Sequence, residues 1–357
     1  MKRIVLIVLG LFVGLVEHQP TVRAQQAEKL RHRDADPVIA IFKGHEEYVY
    51  SLSYSADRRT LATGAGDNTA IIWDLENRKP KHVLQHDSAV YVAAVSPDGK
   101  LVATATGKGM ISIWNANNGQ RLLQKKGHKD AAYCAAFSPD GKRLASAGGS
   151  TDGGDTTCRI WQVEGLKLQS ELKGHKRQVY GLSFSPDGKS IATASSDKSI
   201  RLWDLKTQKH RSLAGHSSDV YRVHFSPNGK QLASVGQDGR LLLHTLDSQH
   251  KVRELFRTRR KEPLYGVRFS PDGKLLGGVG DDYRLRIWRL ENEKQLLEHK
   301  VARKSLYTIA FGPKLGQVMV TSEDGVLYLL QIPNLQYRTK PRGSAKARGR
   351  RTRCPSF

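Results

Sequence analysis

Short apolar segments alternate with polar turns along most of the chain, and no segment shows the apolar stripe of an amphipathic helix. Groups of three or four such segments, each five to seven residues long and rich in Val, Ile, Leu, Thr and Tyr, recur seven times. In five groups, Pro-Asp-Gly or Pro-Asn-Gly separates two segments. This combination favours a tight turn, because Pro fixes φ and Gly permits a positive φ. The pattern therefore predicts β-strands joined by hairpins.

The groups are repeats of similar length. A Trp, or another residue in its place, ends each unit, and successive ends are 41, 47, 42, 41, 44 and 42 residues apart. One unit of four short antiparallel strands cannot bury both of its faces alone, whereas seven units arranged around an axis can. The units end at Trp73, Trp114, Trp161, Trp203, His244, Trp288 and Leu330.

The units resemble WD repeats. Gly-His or a close variant opens most of them, a turn such as FSPDG follows, an Asp lies six residues before the Trp, and two units end in Trp-Asp. The resemblance covers about residues 37–332 and implies an all-β, seven-bladed β-propeller of four-stranded antiparallel blades, in which residues 37–43 form the strand that closes the ring. The remaining segments are predicted to be a signal peptide (1–24), a linker (25–36) and a basic disordered tail (333–357).

The resemblance also implies a hydrogen-bonded set of His, Ser or Thr, Asp and Trp within a blade. In such a set the carboxylate fixes the His tautomer, and the Trp N–H finds an acceptor. Three units have all four residues: His45, Thr63, Asp67 and Trp73; His128, Ser146, Asp155 and Trp161; His175, Thr193, Asp197 and Trp203. The other units depart from the set, with Lys108, His244, Arg260 and Gly278 at its positions and only Asp324 kept in the last unit. Because the set recurs, we interpret it as structural and not as a catalytic Ser-His-Asp site.

A tyrosine follows the His position by five residues in every unit. In WD-repeat propellers this position begins the innermost strand, at the face where partners commonly dock, and Tyr combines rigid contact area with a hydroxyl group. Strand alternation instead places Tyr180 on the same face as Leu182 and Phe184, so packing in the core is the alternative. The candidate partner-binding residues are Tyr50, Tyr91, Tyr133, Tyr180, Tyr221, Tyr265 and Tyr307.

The 357-residue chain has 58 Lys and Arg residues against 34 Asp and Glu residues, and the net charge of +24 suggests a polyanionic neighbour. Two segments are candidate polyanion-binding sites: Arg257, Arg259, Arg260 and Lys261 between the fifth and sixth units, and Arg348, Arg350, Arg351 and Arg353 in the tail, which has eight basic residues and no acidic one. No aromatic residue interleaves with the tail cluster, so sequence-specific nucleic-acid binding is not predicted. A degenerate loop and a solvated tail are the alternatives.

The N-terminus has the layout of a secretory signal peptide. Lys2 and Arg3 precede an apolar run over residues 4–16, and a Val-Arg-Ala cleavage motif ends at Ala24. As a helix the run would be about 20 Å long, shorter than a hydrocarbon core of about 30 Å, which favours cleavage over a membrane anchor. We therefore expect a secreted or periplasmic protein. Cys134 and Cys158 are predicted to be buried thiols on strands that are too far apart for a bridge.

The sequence carries no phosphate loop, zinc-binding spacing, nucleophile elbow or Gly-rich cofactor turn in a suitable context. An insertion around Asp152 and Asp155 has too few ligands for Ca²⁺ and is expected to be a flexible loop. The prediction is therefore an exported, monomeric, non-catalytic scaffold that binds a protein partner and needs no cofactor or metal. An adaptor that binds anionic polymers or membrane surfaces through the tail and rim is the alternative, and an enzyme with a cofactor in its channel is a third hypothesis.

Overall fold

The computed structural model describes residues 36–150, 154–333 and 335, which form 28 β-strands and one short 3₁₀-helix, Glu164–Leu166. The strands pair antiparallel in seven four-stranded sheets, the blades of a β-propeller, and this confirms the predicted fold class. No helix in these ranges is long and apolar enough to span a membrane. The predicted signal peptide and the tail beyond residue 335 lie outside the described residues.

Each blade contributes one strand to each of four positions, counted outward from the axis. The innermost strands are β2 (Val49–Tyr54), β6 (Val90–Val95), β10 (Ala132–Phe137), β14 (Val179–Phe184), β18 (Val220–Phe225), β22 (Leu264–Phe269) and β26 (Leu306–Phe311). The second strands are β3 (Leu61–Ala65), β7 (Leu101–Thr106), β11 (Arg143–Gly148), β15 (Ser190–Ser195), β19 (Gln231–Gly236), β23 (Leu275–Gly280) and β27 (Gln317–Ser322). The third strands are β4 (Thr69–Asp74), β8 (Met110–Asn115), β12 (Cys158–Gln162), β16 (Ile200–Asp204), β20 (Arg240–Thr245), β24 (Arg284–Arg289) and β28 (Val326–Gln331). The outer strands are β5 (Lys79–Gln85), β9 (Arg121–Lys126), β13 (Lys167–Leu172), β17 (His210–Leu213), β21 (Val252–Arg257), β25 (Lys294–Lys300) and β1 (Val38–Lys43).

The blades form a closed ring. Innermost strands of neighbouring blades contact each other all the way round, and the contact between β2 and β26 joins the first blade to the last. The last blade receives its outer strand from the start of the propeller, because β1 pairs with β28 from Val38 opposite Leu330 to Lys43 opposite Val326. The two ends of the propeller sequence therefore share one sheet.

The core lies between adjacent blades. The second strands are almost wholly buried, as in β15, where every residue after Ser190 is buried, whereas the outer strands are mostly exposed. One core cluster joins Cys134 of the third blade to Phe184 and Trp203 of the fourth. Cys134 and Cys158 are free, buried thiols, as the sequence predicted, and burial raises the pKa of Cys134 to about 12. Neither thiol is therefore a nucleophile at neutral pH.

Turns between the first and second strands have a shared geometry. In the second blade the N–H of Gly99 donates to the carbonyl of Ser96 at 2.9 Å, and the hydroxyl of Ser96 donates to Asp98 at 2.6 Å. Gly at this place has a φ of 67° to 73° in five blades, where a side chain would be strained. The first blade instead has Arg58 in the equivalent turn, with a φ of 62°. The turn glycines are Gly99, Gly141, Gly188, Gly229 and Gly273.

Candidate functional site

The fourth blade holds its four polar core residues in one chain of hydrogen bonds. His175 Nδ1 lies 2.9 Å from Asp197 Oδ2, and His175 Nε2 lies 2.7 Å from Thr193 Oγ1. Trp203 Nε1 donates to the same hydroxyl at 2.9 Å. With the imidazole proton on Nδ1, facing the carboxylate, Nε2 accepts the Thr193 proton, so every group in the chain is satisfied. The first blade has the same arrangement through His45, Thr63, Asp67 and Trp73.

Arg159 changes the set in the third blade. Its guanidinium donates to Asp155 at 2.6 Å and to His128 Nδ1 at 2.9 Å, so His128 and Asp155 stand 3.6 Å apart. His128 Nε2 still lies 2.7 Å from Ser146 Oγ, which accepts the N–H of Trp161 at 2.8 Å. Against the effect of burial, the guanidinium of Arg159 and the backbone N–H of Lys129 hold the pKa of Asp155 well below its usual range. The Asp155 carboxylate is therefore ionised and hydrogen-bonded to residues of its own blade.

The other blades fill the same positions with different residues. In the fifth, His244 replaces Trp, and its Nε2 lies 2.8 Å from Ser234 Oγ. In the sixth, Arg286 takes the role of the missing His, because it is buried and donates to Asp282 at 2.5 Å. In the seventh, the Tyr328 hydroxyl donates to Asp324 at 3.0 Å. The ring of seven blades thus tolerates loss of the set without loss of a blade.

His244 should make folding sensitive to acid. Burial and the neighbouring His216 lower the pKa of His244 to about 4, whereas the unfolded chain takes up that proton near pH 6.5. The contribution of His244 to the free energy of unfolding is therefore fully present above pH 6.5 and is lost as pH falls towards 4. We expect wild type to lose about 2–3 kcal/mol more between pH 7 and pH 4 than His244→Gln in urea unfolding. The control is His250→Gln, at an exposed position of the same blade, and a slope that His244→Gln leaves unchanged would contradict the prediction.

The seven predicted tyrosines form one closed ring, called here the tyrosine ring, around one mouth of the central channel. Each phenol contacts the next, and consecutive ring centroids are 4.9–5.6 Å apart from Tyr50 through Tyr307 and back to Tyr50. All seven side chains are half-buried. A pocket of about 120 Å³ lies among them, lined also by Arg222. The phenols are thus packed against one another and still reach the surface of the channel mouth.

A β-bulge places every tyrosine in this ring. The ladder between the first and second strands skips one residue at the tyrosine in all seven blades, as between Val179 and Gly181, which pair with Ser195 and Ala194. The bulged residue is left out of the ladder, so simple alternation does not apply to it. Tyr180 therefore does not share the packing of Phe184, which is buried.

Carboxylates surround the tyrosine ring. Burial, with Tyr91 and Glu47 adding to it, raises the pKa of Tyr50 to about 12, and burial with Asp281 and Glu323 does the same for Tyr265. The hydroxyls of Tyr50 and Tyr265 are accordingly protonated donors at neutral pH. One further phenol, Tyr48, lies 6.2 Å from Tyr50 and 6.3 Å from Tyr307 and is 42% exposed. The sequence pattern missed Tyr48 because it occurs in one blade only.

Arg257, Arg259, Arg260 and Lys261, the basic residues predicted between the fifth and sixth blades, are all exposed. The three arginines line a cavity of about 720 Å³ that also contains Glu262, Asp281, Asp282 and Glu298. Arg257 pairs with Glu254 at 2.8 Å. The positive charge at this junction is therefore interleaved with negative charge. Arg348, Arg350, Arg351 and Arg353 lie outside the described residues, as does Asp152.

The channel itself contains basic residues that the sequence analysis did not select. Arg222, His224 and Arg268 come from the innermost strands of the fifth and sixth blades and line a second cavity below the tyrosine ring. Aligning the seven innermost strands would have shown them, because the other blades have small or apolar residues at these places, as in VYVAAV and AYCAAF. Among the described residues no group of His, Cys, Asp and Glu is arranged to hold a metal ion.

A closed ring of four-stranded blades, several with a His-Thr-Asp-Trp set, defines a propeller built from WD repeats. Comparison with known proteins agrees: a family model described as the IFT122 first beta-propeller matches residues 94–339, and one for the WD domain, G-beta repeat, matches residues 37–74. The chain belongs to the WD-repeat β-propeller family. It is also similar to a Notchless protein homolog of Arabidopsis thaliana, with 37% identity over 65 residues, which are 18% of this chain and 14% of that protein.

Proposed function

We propose that this protein is a non-catalytic interaction scaffold whose protein partner docks on the face that bears the tyrosine ring. The observation that carries the proposal is the closed belt of seven half-buried phenols, extended outward by Tyr48. Tyr and Trp are enriched among the residues that dominate binding energy at interfaces, because they combine large rigid area with a hydrogen-bonding end. WD-repeat propellers typically serve as such scaffolds.

The polar core sets support a scaffold over a hydrolytic enzyme. A nucleophilic site needs a hydroxyl that a substrate can reach and that its base can deprotonate. Thr63, Ser146 and Thr193 are instead fully buried, and each hydroxyl already accepts the indole N–H of its blade. These three hydroxyls therefore stabilise their blades and are not available as nucleophiles.

The tyrosine ring can be tested with variants that keep the fold. We expect Tyr180→Phe combined with Tyr221→Phe to weaken capture of the partner from native extract about tenfold, because two hydroxyls at about 0.5–1.5 kcal/mol each are removed. Tyr48→Ala should weaken capture as well, since Tyr48 is exposed and contacts the ring. The readout is the affinity of the recovered partner for each purified variant.

The matched control is Tyr54→Phe. Tyr54 is at the opposite end of β2 and is buried, with its hydroxyl donating to Met319 Sδ at 3.7 Å. This substitution should leave partner affinity unchanged. Equal affinity of the ring variants and wild type, with unchanged thermal unfolding, would contradict docking on the tyrosine face.

We further propose that the protein acts outside the cytoplasm, in secreted or periplasmic form. Residues 1–24, with their basic start, apolar run and cleavage motif, support this proposal. N-terminal sequencing of the mature protein tests it, and a start at Met1 would refute it. The alternative role, adaptor to anionic polymers or head groups, is supported chiefly by the eight basic residues after Tyr337, because the exposed junction basics are interleaved with carboxylates.

A further inference from the structure

The central channel holds a cavity of about 310 Å³ below the tyrosine ring, ten times the volume of about 30 Å³ that one water occupies in the liquid. One wall carries Arg222, His224 and Arg268. Small residues on the facing innermost strands, including Ala93, Ala94, Ala135 and Ala136, leave room in front of these side chains. The cavity reaches Ala56 and Pro97, in turns at the ends of the innermost strands opposite to the tyrosines.

No carboxylate lines this cavity in the described part of the chain. Instead of a carboxylate, Arg268 has other cations near it. Burial, together with the positive charges of Arg58 and Arg222, lowers the pKa of Arg268 to about 10. Cations gathered in a partly dry space without a counter-charge are unfavourable, and an anion among them relieves the cost. Among the described residues, the arginines on this wall therefore lack an anionic partner within the cavity, and a bound anion would supply it.

The polar groups in the channel are mostly donors. Arg222 reaches across from the fifth blade and donates through Nη2 to the carbonyl of Tyr50 in the first blade at 3.3 Å, which leaves its other N–H groups for a ligand. His224 Nδ1 accepts the N–H of Phe269 at 3.4 Å, so neutral His224 carries its proton on Nε2 and is a donor there. Ser53 lines the same cavity, and its oxygen accepts the N–H of Val95 at 3.0 Å while its own proton is free to donate.

We propose that this channel cavity is a binding site for a tetrahedral oxyanion, a phosphate or sulfate group, held by Arg222 and Arg268 with His224 and Ser53 as neutral donors. Arginine suits this role because its planar N–H groups match the geometry of phosphate oxygens. Arg58 adds positive charge at the turn end of the channel, where it donates to the carbonyl of Phe311 and lies 5.8 Å from the ring of Tyr54. The anion enters from the turn face and leaves the tyrosine ring free for a protein partner.

The test measures the thermal unfolding midpoint and the calorimetric Kd of the full chain with inorganic phosphate and with O-phosphoserine, at constant ionic strength. Wild type should bind phosphate and unfold at a higher temperature with it. Arg268→Gln and Arg222→Gln should each weaken binding about tenfold or more, because one charge-assisted contact contributes about 1.5–3 kcal/mol. Arg268→Lys, which keeps the charge, should bind phosphate more tightly than Arg268→Gln.

The charge-matched control is Lys206→Gln, an exposed residue in the turn between β16 and β17 at the outer edge of the fourth blade, which should bind like wild type. Arg268→Gln should fold at least as stably as wild type without anion, since it relieves the repulsion between Arg268 and its cationic neighbours. If Arg268→Gln weakens the binding of inorganic phosphate and O-phosphoserine does not bind, the ligand is a free anion. If Arg268→Gln weakens the binding of both probes, the site accepts a phosphoryl group on a larger molecule. Absence of binding to wild type, or equal binding by all variants, would overturn the proposal.

Discussion

Phe42→Ala should destabilise the whole propeller by about 3–5 kcal/mol and lower its melting temperature by about 5–8 °C. Phe42 is on β1, the strand that completes the last blade, and it is 2% exposed. Its ring packs edge-on against Trp73 of the first blade with centroids 5.7 Å apart. The cavity left by alanine would lie in the core cluster at the joint between the first and last blades. Loss of that joint exposes the edge of β28.

Ile41→Ala is the control for Phe42→Ala. Ile41 is the preceding residue on the same strand, pairs opposite Tyr328 and is 46% exposed, so its truncation should cost less than about 1 kcal/mol. Both variants are compared with wild type by calorimetry and by urea unfolding followed through tryptophan fluorescence. Similar destabilisation by the two substitutions would mean that the strand contributes through its backbone pairing alone and that packing on Trp73 does not seal the ring.

The fold was predictable because its signal is repeated. Each unit carries its own turn residues and buried strand, so the spacing of the clear units predicts where an ambiguous unit ends. Leu330 ends the seventh blade at the place of a Trp, although no residue near it marks that position. The substitutes within the sets were less predictable. Arg286 fills the place of a missing His from a different strand, and the reach of a long side chain is not encoded in spacing along the sequence.

The tyrosine ring shows where a pattern fails for a physical reason. Alternation along β14 groups Tyr180 with Leu182 and Phe184, so the sequence left both packing in the core and exposure at the rim open. The structure has a bulge at the tyrosine in every blade, which removes that residue from the alternation. A bulge is set by the fit between two strands, and no residue such as Gly marks it in most of the units.

Thr193→Val should cost about 2–6 kcal/mol, because it breaks the polar chain of the fourth blade in the middle. Thr193 is 0% exposed, and its hydroxyl joins His175 Nε2 at 2.7 Å to Trp203 Nε1 at 2.9 Å. Valine has the same shape but leaves both nitrogens buried without a partner, at about 1–3 kcal/mol each. Thr193→Ser keeps the hydroxyl, as Ser146 and Ser234 do in other blades, and should recover most of the loss. Urea unfolding monitored by tryptophan fluorescence measures all three proteins.

Thr321→Val provides the same chemical change where no bond is lost. Thr321 is also 0% exposed on a second strand, β27, but its hydroxyl oxygen has no hydrogen-bond partner. Removing an unsatisfied buried hydroxyl should leave stability unchanged or slightly increase it. The two substitutions therefore differ in the hydrogen bonds they remove and not in size or burial. Equal losses at Thr193 and Thr321 would show that the hydroxyl contributes by packing, and the polar chain would then not be what stabilises the blade.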